Sequence, residues 1–248
     1  MNAIYILWLR AMKRYFRSHS QVIASLGQPM LYLLVLGFGL GPVFQKAGNG
    51  SYIQFVAPGV IGMSVLFTSI FSGIGLLWDR QFGFLKETLV APVPRIMVMI
   101  GNIFGGATVA IFQGVLVMIA CLIFGFRPTN WYSLPLAFIF LVLTAIVFSG
   151  LGMAIGSVLQ DMKGFQLVMN FMVMPIFFLS GALYPLEGLP PVLGFITKLD
   201  PLTYGIDGLR GALITTSQFD LTLDAALLSG FAILFLILGG YFFSKIEI

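Results

Sequence analysis

Charge is scarce in this sequence. Of its 248 residues only 9% are Asp, Glu, Lys or Arg and 59% are apolar, whereas an ordinary soluble domain is roughly a quarter charged. A single soluble core cannot hide that much apolar surface, so lipid must solvate most of it and a soluble enzyme is excluded. Cysteine and histidine are scarcer still. Cys121 is the only cysteine, so no disulfide forms within the chain, and His19 is the only histidine. Those two counts argue against a two-histidine zinc site, a Cys/His nucleophile pair, or any metal centre built from one chain.

Two further absences bear on chemistry. The sequence has no G-x-x-x-x-G-K-[ST] loop, so the usual ATP-binding apparatus is not carried here. The long apolar runs also lack Asp, Glu, Lys and Arg away from their ends, with Asp79 and Asp224 at edges. Ion-coupled transporters place ionisable groups near the midplane and voltage sensors need arginines there. Intramembrane hydrolases need a base beside a nucleophile. No catalytic residue and no cofactor is therefore expected in this chain, and any energy must come from a separate subunit.

What is present is six apolar runs, at about 22–44, 54–78, 96–124, 134–158, 165–184 and 223–243. Crossing about 30 Å of hydrocarbon takes roughly 20 helical residues, so the expected fold is all-α, a polytopic membrane protein with six transmembrane helices in one domain, 1–248. The first run starts too far from the N-terminus for a signal peptide and lacks a small-residue cleavage site. No repeat or low-complexity segment is visible.

The net charge of +4 is an orientation signal rather than a nucleic-acid signal. With six spans, Arg10, Lys13, Arg14, Arg17, Arg80, Lys86, Arg95, Lys163 and Lys245 share one side, and Lys46, Arg127, Lys198 and Arg210 share the other. The excess puts both termini in the cytoplasm.

Three segments between or before the runs carry pattern. Over residues 1–18, Arg10, Lys13, Arg14 and Arg17 fall on one arc, opposite Ile4, Tyr5, Trp8, Leu9, Met12, Tyr15 and Phe16. Such a helix lies at a membrane interface, basic side to headgroups and aromatic side to acyl chains. In the loop 79–95, a helical projection groups Asp79, Arg80, Gly83, Lys86 and Glu87, leaves Phe82, Phe84, Leu85 and Leu89 on the other sides, and ends at Pro92 and Pro94. A short helix showing charge and large aromatics suits a protein partner or the membrane surface. The third segment, 184–220, is outward-facing and too apolar for a plain loop; Asp200-Pro201 reads as N-cap and first helical residue, so re-entrant helices are expected in 185–221.

Inside the runs, Gln28, Asn102, Gln113 and Asn170 are the larger uncharged polar residues. Interhelical hydrogen bonding is the ordinary use of such groups; the alternative is that Asn102, Gln113 and Asn170 mark a substrate path. Gly101-x-x-x-Gly105 and Gly152-x-x-x-Gly156 permit close helix approach.

The run Phe-Gly-Phe-Leu-Lys-Glu-Thr-Leu-Val-Ala-Pro-Val-Pro-Arg at 82–95 resembles the cytoplasmic signature of ABC-2 type exporter permeases, nearest the drug-resistance and polysaccharide or nodulation-factor branch. Phe-Leu-Ser-Gly-Ala-Leu-Tyr-Pro-Leu at 178–186 and Leu-Asp-Pro-Leu-Thr-Tyr-Gly-Ile-Asp-Gly-Leu-Arg at 199–210 extend the likeness over nearly the whole chain. The resemblance implies an N-terminal interfacial helix, six spans, and short outer re-entrant helices before the last one. It implies two permease subunits around a central path, an expected homodimer in the lipid bilayer, above two ABC ATPase subunits that bind ATP-Mg. It also implies a coupling helix docked on the ATPase at Arg80, Phe82, Gly83, Phe84, Leu85, Lys86 and Glu87. The expected activity is export of an amphipathic drug-like molecule, or of a lipid-linked glycan, across the cell's inner membrane. An ATP-independent channel or facilitator is the alternative, and a scaffold recruiting a cytoplasmic partner is a third reading; no nucleic acid is involved in any of them.

Overall fold

In the computed structural model the described residues are 2–46, 51–90, 92–186 and 188–246. Ala91 in the 79–95 loop, Glu187 in the outer stretch and the last two residues lie outside them, as do the side chains of His19 and Leu89. The described residues are almost wholly helical and contain no strand. The helices are α1 (Asn2–Arg17), α2 (His19–Lys46), α3 (Tyr52–Gln81), α4 (Phe84–Val90), α5 (Arg95–Ile123) and α6 (Leu134–Val158). They are followed by α7 (Met162–Leu179), α8 (Pro191–Leu199), α9 (Pro201–Ile214) and α10 (Leu221–Ser244). Six of them, α2, α3, α5, α6, α7 and α10, are long and apolar enough to cross a membrane, and they fall on the six expected runs.

The fifth run is shorter than its hydropathy suggests. Its helix ends at Leu179, and the chain turns at Gly181, whose φ of +73° is left-handed backbone that suits glycine. Inside α7 the residues Met169–Val173 form a π-turn just before Pro175. Proline has no N–H to donate to the preceding turn, so the ladder there is re-spaced.

The centre of the bundle is α3 against α6; α5 and α2 lie on α3, α10 lies on α6, and α1 lies on α5. Glycine sets the α3–α6 distance. A Cβ on Gly73 would sit 2.1 Å from the Gly152 carbonyl oxygen, and one on Gly156 would sit 2.6 Å from the Gly73 carbonyl oxygen. The two backbones therefore touch, and the Gly152-x-x-x-Gly156 pair serves as a contact stripe. The stripe at Gly101 and Gly105 faces α1 instead of another span: a Cβ on Gly101 would meet the Ile4 backbone at 3.2 Å, and one on Gly105 the Ala11 Cβ at 2.8 Å.

That contact re-assigns the apolar side of the N-terminal helix. Because successive residues of α1 meet successive residues of α5, the two run alongside one another. Leu7, Met12 and Tyr15 are buried. The Trp8 indole N–H donates to Thr108 Oγ1 at 3.0 Å, and the Tyr15 hydroxyl donates to Gln113 Oε1. Tyr5, Ile6 and Phe16 stay exposed for lipid. The helix is amphipathic as expected, but much of its apolar side covers protein, because two glycines on α5 leave room for a second backbone.

Candidate functional site

One end of the bundle gathers the C-termini of α3, α6 and α10, the N-terminus of α5, and α4. Its arginines close helix ends. Arg80 donates to the Leu159 carbonyl just past α6 at 3.4 Å, and Arg95 donates to Ser244 O at 2.7 Å and Ile246 O at 3.1 Å. A cation at a helix C-terminus meets carbonyls that have no partner within the helix and the negative end of the dipole.

The expected helix through 79–91 is two pieces. Phe82 still donates to Trp78 O at 2.9 Å, but Gly83 has φ +82° and reverses the chain. The new helix starts with Lys86 N–H donating to Gly83 O at 3.0 Å. Asp79 and Arg80 therefore belong to the last turn of α3, and the expected grouping of Asp79 and Arg80 with Lys86 and Glu87 on one side is corrected. The cause is local: the left-handed turn at Gly83 breaks the rotation that a single helix would carry through.

On α4 the side chains divide cleanly. Leu85 is 4% exposed and packs into a small cluster with Leu7, Leu76, Val98, Met99 and Phe243. It pins the helix to the bundle, so of the seven residues expected at the partner contact Leu85 faces the wrong way. Phe82 and Phe84 are 72% and 54% exposed, and Lys86 and Glu87 are exposed beside them. Phe84 and two opposite charges thus stand on a short helix held from behind, with Phe82 just before it at the end of α3. Aromatics of this kind act as interface anchors, and charges set register and partner choice.

Asp79 itself is the hub of a latch that the sequence reading did not find. Arg10 pairs closely with it and Arg14 lies at 3.6 Å, with Asp79 only 10% exposed. Two of the four basic residues expected to face headgroups therefore turn toward the end of α3; Lys13 and Arg17 remain exposed. The available signal was Asp79, a lone acid at the end of an apolar run, with an arginine cluster elsewhere to satisfy it.

The mid-span polar residues go to different fates. Gln113 is buried and takes the Tyr15 hydroxyl, so it ties α1 to α5. Asn102 is half-buried and donates to the Val98 carbonyl of its own helix at 3.0 Å. Neither is free to contact a substrate through these atoms, as the path reading requires. Asn170 is exposed in the π-turn of α7. The structure does not bring the three together.

At the opposite end, α9 is sunk into the bundle: Gly62 admits Ile206, Gly205 sits on Thr144 and Gly208 on Phe140. Asp200 caps it, accepting from Leu202 N–H at 2.8 Å. Burial pushes the Asp200 carboxyl up to about 8, and its Oδ2 has no partner among the described residues.

Arg210, counted above as an outer loop charge, is buried. It donates to Gly181 O at 3.1 Å and stands 4.0 Å over the Phe55 ring. Burial pushes its guanidinium down to about 10 against the pull of Asp207, so it stays charged at neutral pH. Asp207 accepts from Gln218 N–H at 3.0 Å and Phe219 N–H at 2.9 Å, closing the turn between α9 and α10. Asp224 is also fully buried at the start of α10. The clue to this pair was a charged i, i+3 spacing inside the apolar stretch 202–213.

Asp207→Asn removes one acceptor oxygen and the charge. Bonds to charged acceptors are worth about 1.5–3 kcal/mol, so a loss of about 2 kcal/mol is expected, read as a lower thermal midpoint in detergent. Faster amide exchange at 215–220 should accompany it; unchanged exchange there would show that the carboxylate does not hold the turn.

Residues 2–214 match the ABC-2 type transporter family. The chain is 30% identical over 240 residues to the inner membrane transport permease YadH of Escherichia coli K12, covering 94% of this chain and 91% of that protein. It is 31% identical over 216 residues to the putative transport permease ycf38 of Pyropia yezoensis, covering 85% and 73%. Nodulation protein J of Rhizobium leguminosarum bv. trifolii is 28% identical over 212 residues, covering 85% and 78%. With six membrane-length helices and a match of this extent, the chain belongs to the ABC-2 type transporter family, as a membrane permease component of an ABC transporter.

Proposed function

We propose that this permease exports an amphipathic molecule, drug-like or a lipid-linked glycan, across the inner membrane, powered by two copies of a separate ATPase that bind ATP-Mg. The observation that carries the reading is α4, pinned by Leu85 and presenting Phe84, Lys86 and Glu87 to the outside, with Phe82 exposed beside them at the end of α3. Closure of an ATPase dimer beneath it would push on a short rigid lever attached to α3 and, through Leu7 and Val98, to α1 and α5. The inner-membrane placement draws on the printed name of the Escherichia coli relative, and the glycan reading on the nodulation protein.

A second copy of the permease is part of the proposal. Asn170 is exposed halfway along α7. An amide facing hydrocarbon is costly, and partners are usually found across a helix interface. Pairing α7 against α7 of a second copy covers it and leaves Asn170 beside a central path. The excess of lysine and arginine on the α4 side supports an orientation with α4 and both termini in the cytoplasm.

The test is twofold. A fluorescent protein fused after Ile248 is expected to fluoresce, and alkaline phosphatase fused there to stay inactive; the reverse pair would invert the topology. Membranes solubilised in mild detergent are expected to yield an ATPase with the permease in equal amounts, and inverted vesicles to accumulate substrate only with ATP. A permease that purifies alone and conducts in liposomes would return the channel reading.

A further inference from the structure

Between α1, α2, α3, α5 and α6 lies a cleft of about 480 Å³. Its α3 wall runs from Thr68 to Trp78, which at 1.5 Å per residue is about 15 Å, the depth of one leaflet of a bilayer whose hydrocarbon is about 30 Å thick. The walls are mainly apolar, including Leu7, Phe71, Ile74, Val109 and Met153. Polar side chains in them are turned to their own helices: Ser25 donates to Val22 O at 2.9 Å, Ser72 to Ser69 O at 2.6 Å, and Asn102 to Val98 O at 3.0 Å.

The charges in the lining are Arg10 and Arg14. Among the described residues Asp79 is the one acid paired with them, and their side chains are still 37% and 49% exposed. Two guanidiniums against one carboxylate leave one positive charge, and Arg14 keeps donors beyond its 3.6 Å approach to Asp79. Arginine's planar fork suits a phosphate better than a point cation does. A leaflet-deep apolar slot bearing an unmatched guanidinium is complementary to a molecule with an acyl chain and a singly anionic headgroup.

We propose that this cleft binds one anionic phospholipid from the leaflet on the α4 side, with one of its two acyl chains along α3 and its phosphate at Arg14 and Arg10. The site lies between helices of one subunit and stands independently of what the transporter exports. A lipid seated there would bridge α1 to α3 next to the latch on Asp79, and so join the N-terminal helix to the helix that carries α4.

Two variants separate head from tail. A Cβ on Gly75 has only Arg14 Nη1 within 4 Å, at 3.3 Å, so Gly75→Leu puts a side chain into the cleft. Arg14→Gln removes the unmatched charge at an exposed position. The full-length protein is purified in mild detergent, equilibrated with phosphatidylglycerol or phosphatidylcholine of the same chains, and read by native mass spectrometry. Wild type is expected to retain phosphatidylglycerol about tenfold better: both lipids offer a phosphate, but the choline ammonium of phosphatidylcholine opposes the guanidiniums and phosphatidylglycerol carries no cation. Arg14→Gln is expected to bring the two lipids level, and Gly75→Leu to lose both. Equal retention by wild type overturns the proposal, as does a preference that survives in Arg14→Gln. If Gly75→Leu does not fold, the Arg14 comparison decides alone.

Discussion

Phe84→Ala combined with Lys86→Ala is expected to release the ATPase from the solubilised complex while the permease stays folded in the membrane. Phe84 is 54% exposed and Lys86 is exposed, so neither supports the bundle. Central aromatic anchors cost about 2 kcal/mol or more when truncated, and loss of a desolvated charge partner adds to that. Together they weaken docking by about a hundredfold or more. The readout is the ratio of ATPase to permease after size-exclusion chromatography, with ATP-dependent transport beside it. An unchanged ratio would remove α4 as the docking element. Leu85→Ala serves as the contrast: it opens a cavity in the small cluster, for which about 2–5 kcal/mol is lost, so it should lower the thermal midpoint without touching the exposed face.

Gly73→Leu is expected to have the largest effect on folding of any single change at the bundle centre. Its Cβ would lie 2.1 Å from the Gly152 carbonyl oxygen, an atom of backbone that cannot rotate away. The α3–α6 contact must therefore open along its length, taking with it the Gly156 approach at 2.6 Å. Overpacking a tight site costs about 1–3 kcal/mol where side chains can yield, and more is expected where none can; net stabilities are only about 5–15 kcal/mol. The monodisperse yield should collapse. Gly39→Leu makes the control, since a Cβ on Gly39 has nothing within 4 Å and the residue is exposed on α2. Equal yields from the two variants would show that the α3–α6 stripe is not what sets the packing.

The two predictions differ in how legible their sites were. The aromatic and charged loop at 82–87 stood out because such residues have no reason to sit between apolar runs without a partner or a surface. Its geometry did not follow, since a projection through 79–91 assumes one helix, and Gly83 breaks it. Leu85 illustrates the cost: its sidedness depends on α4 folding back on Leu7 and Phe243, which are far away in sequence. The glycine pair at 152 and 156 was visible as a stripe, but its partner Gly73 was not, because glycine is common in apolar helices and spacing alone names no neighbour.

Sequence alone determined the solvent and the span count. Solvation of apolar surface is roughly additive along the chain, so 59% apolar residues and six long runs lead to a six-helix membrane protein without knowledge of any contact. It also determined the Asp200-Pro201 helix start, because a cap is made by residues within one turn. Tertiary structure alone decided which charges are spent inside. Asp79 with Arg10 and Arg14, and Asp207 beside Arg210, are satisfied by groups on other helices or turns. It also decided that Gln113 holds α1 and that the cleft beside Arg14 exists. The physical reason is that buried polar groups are stabilised by partners that chain folding brings to them, and spacing along the chain does not name those partners.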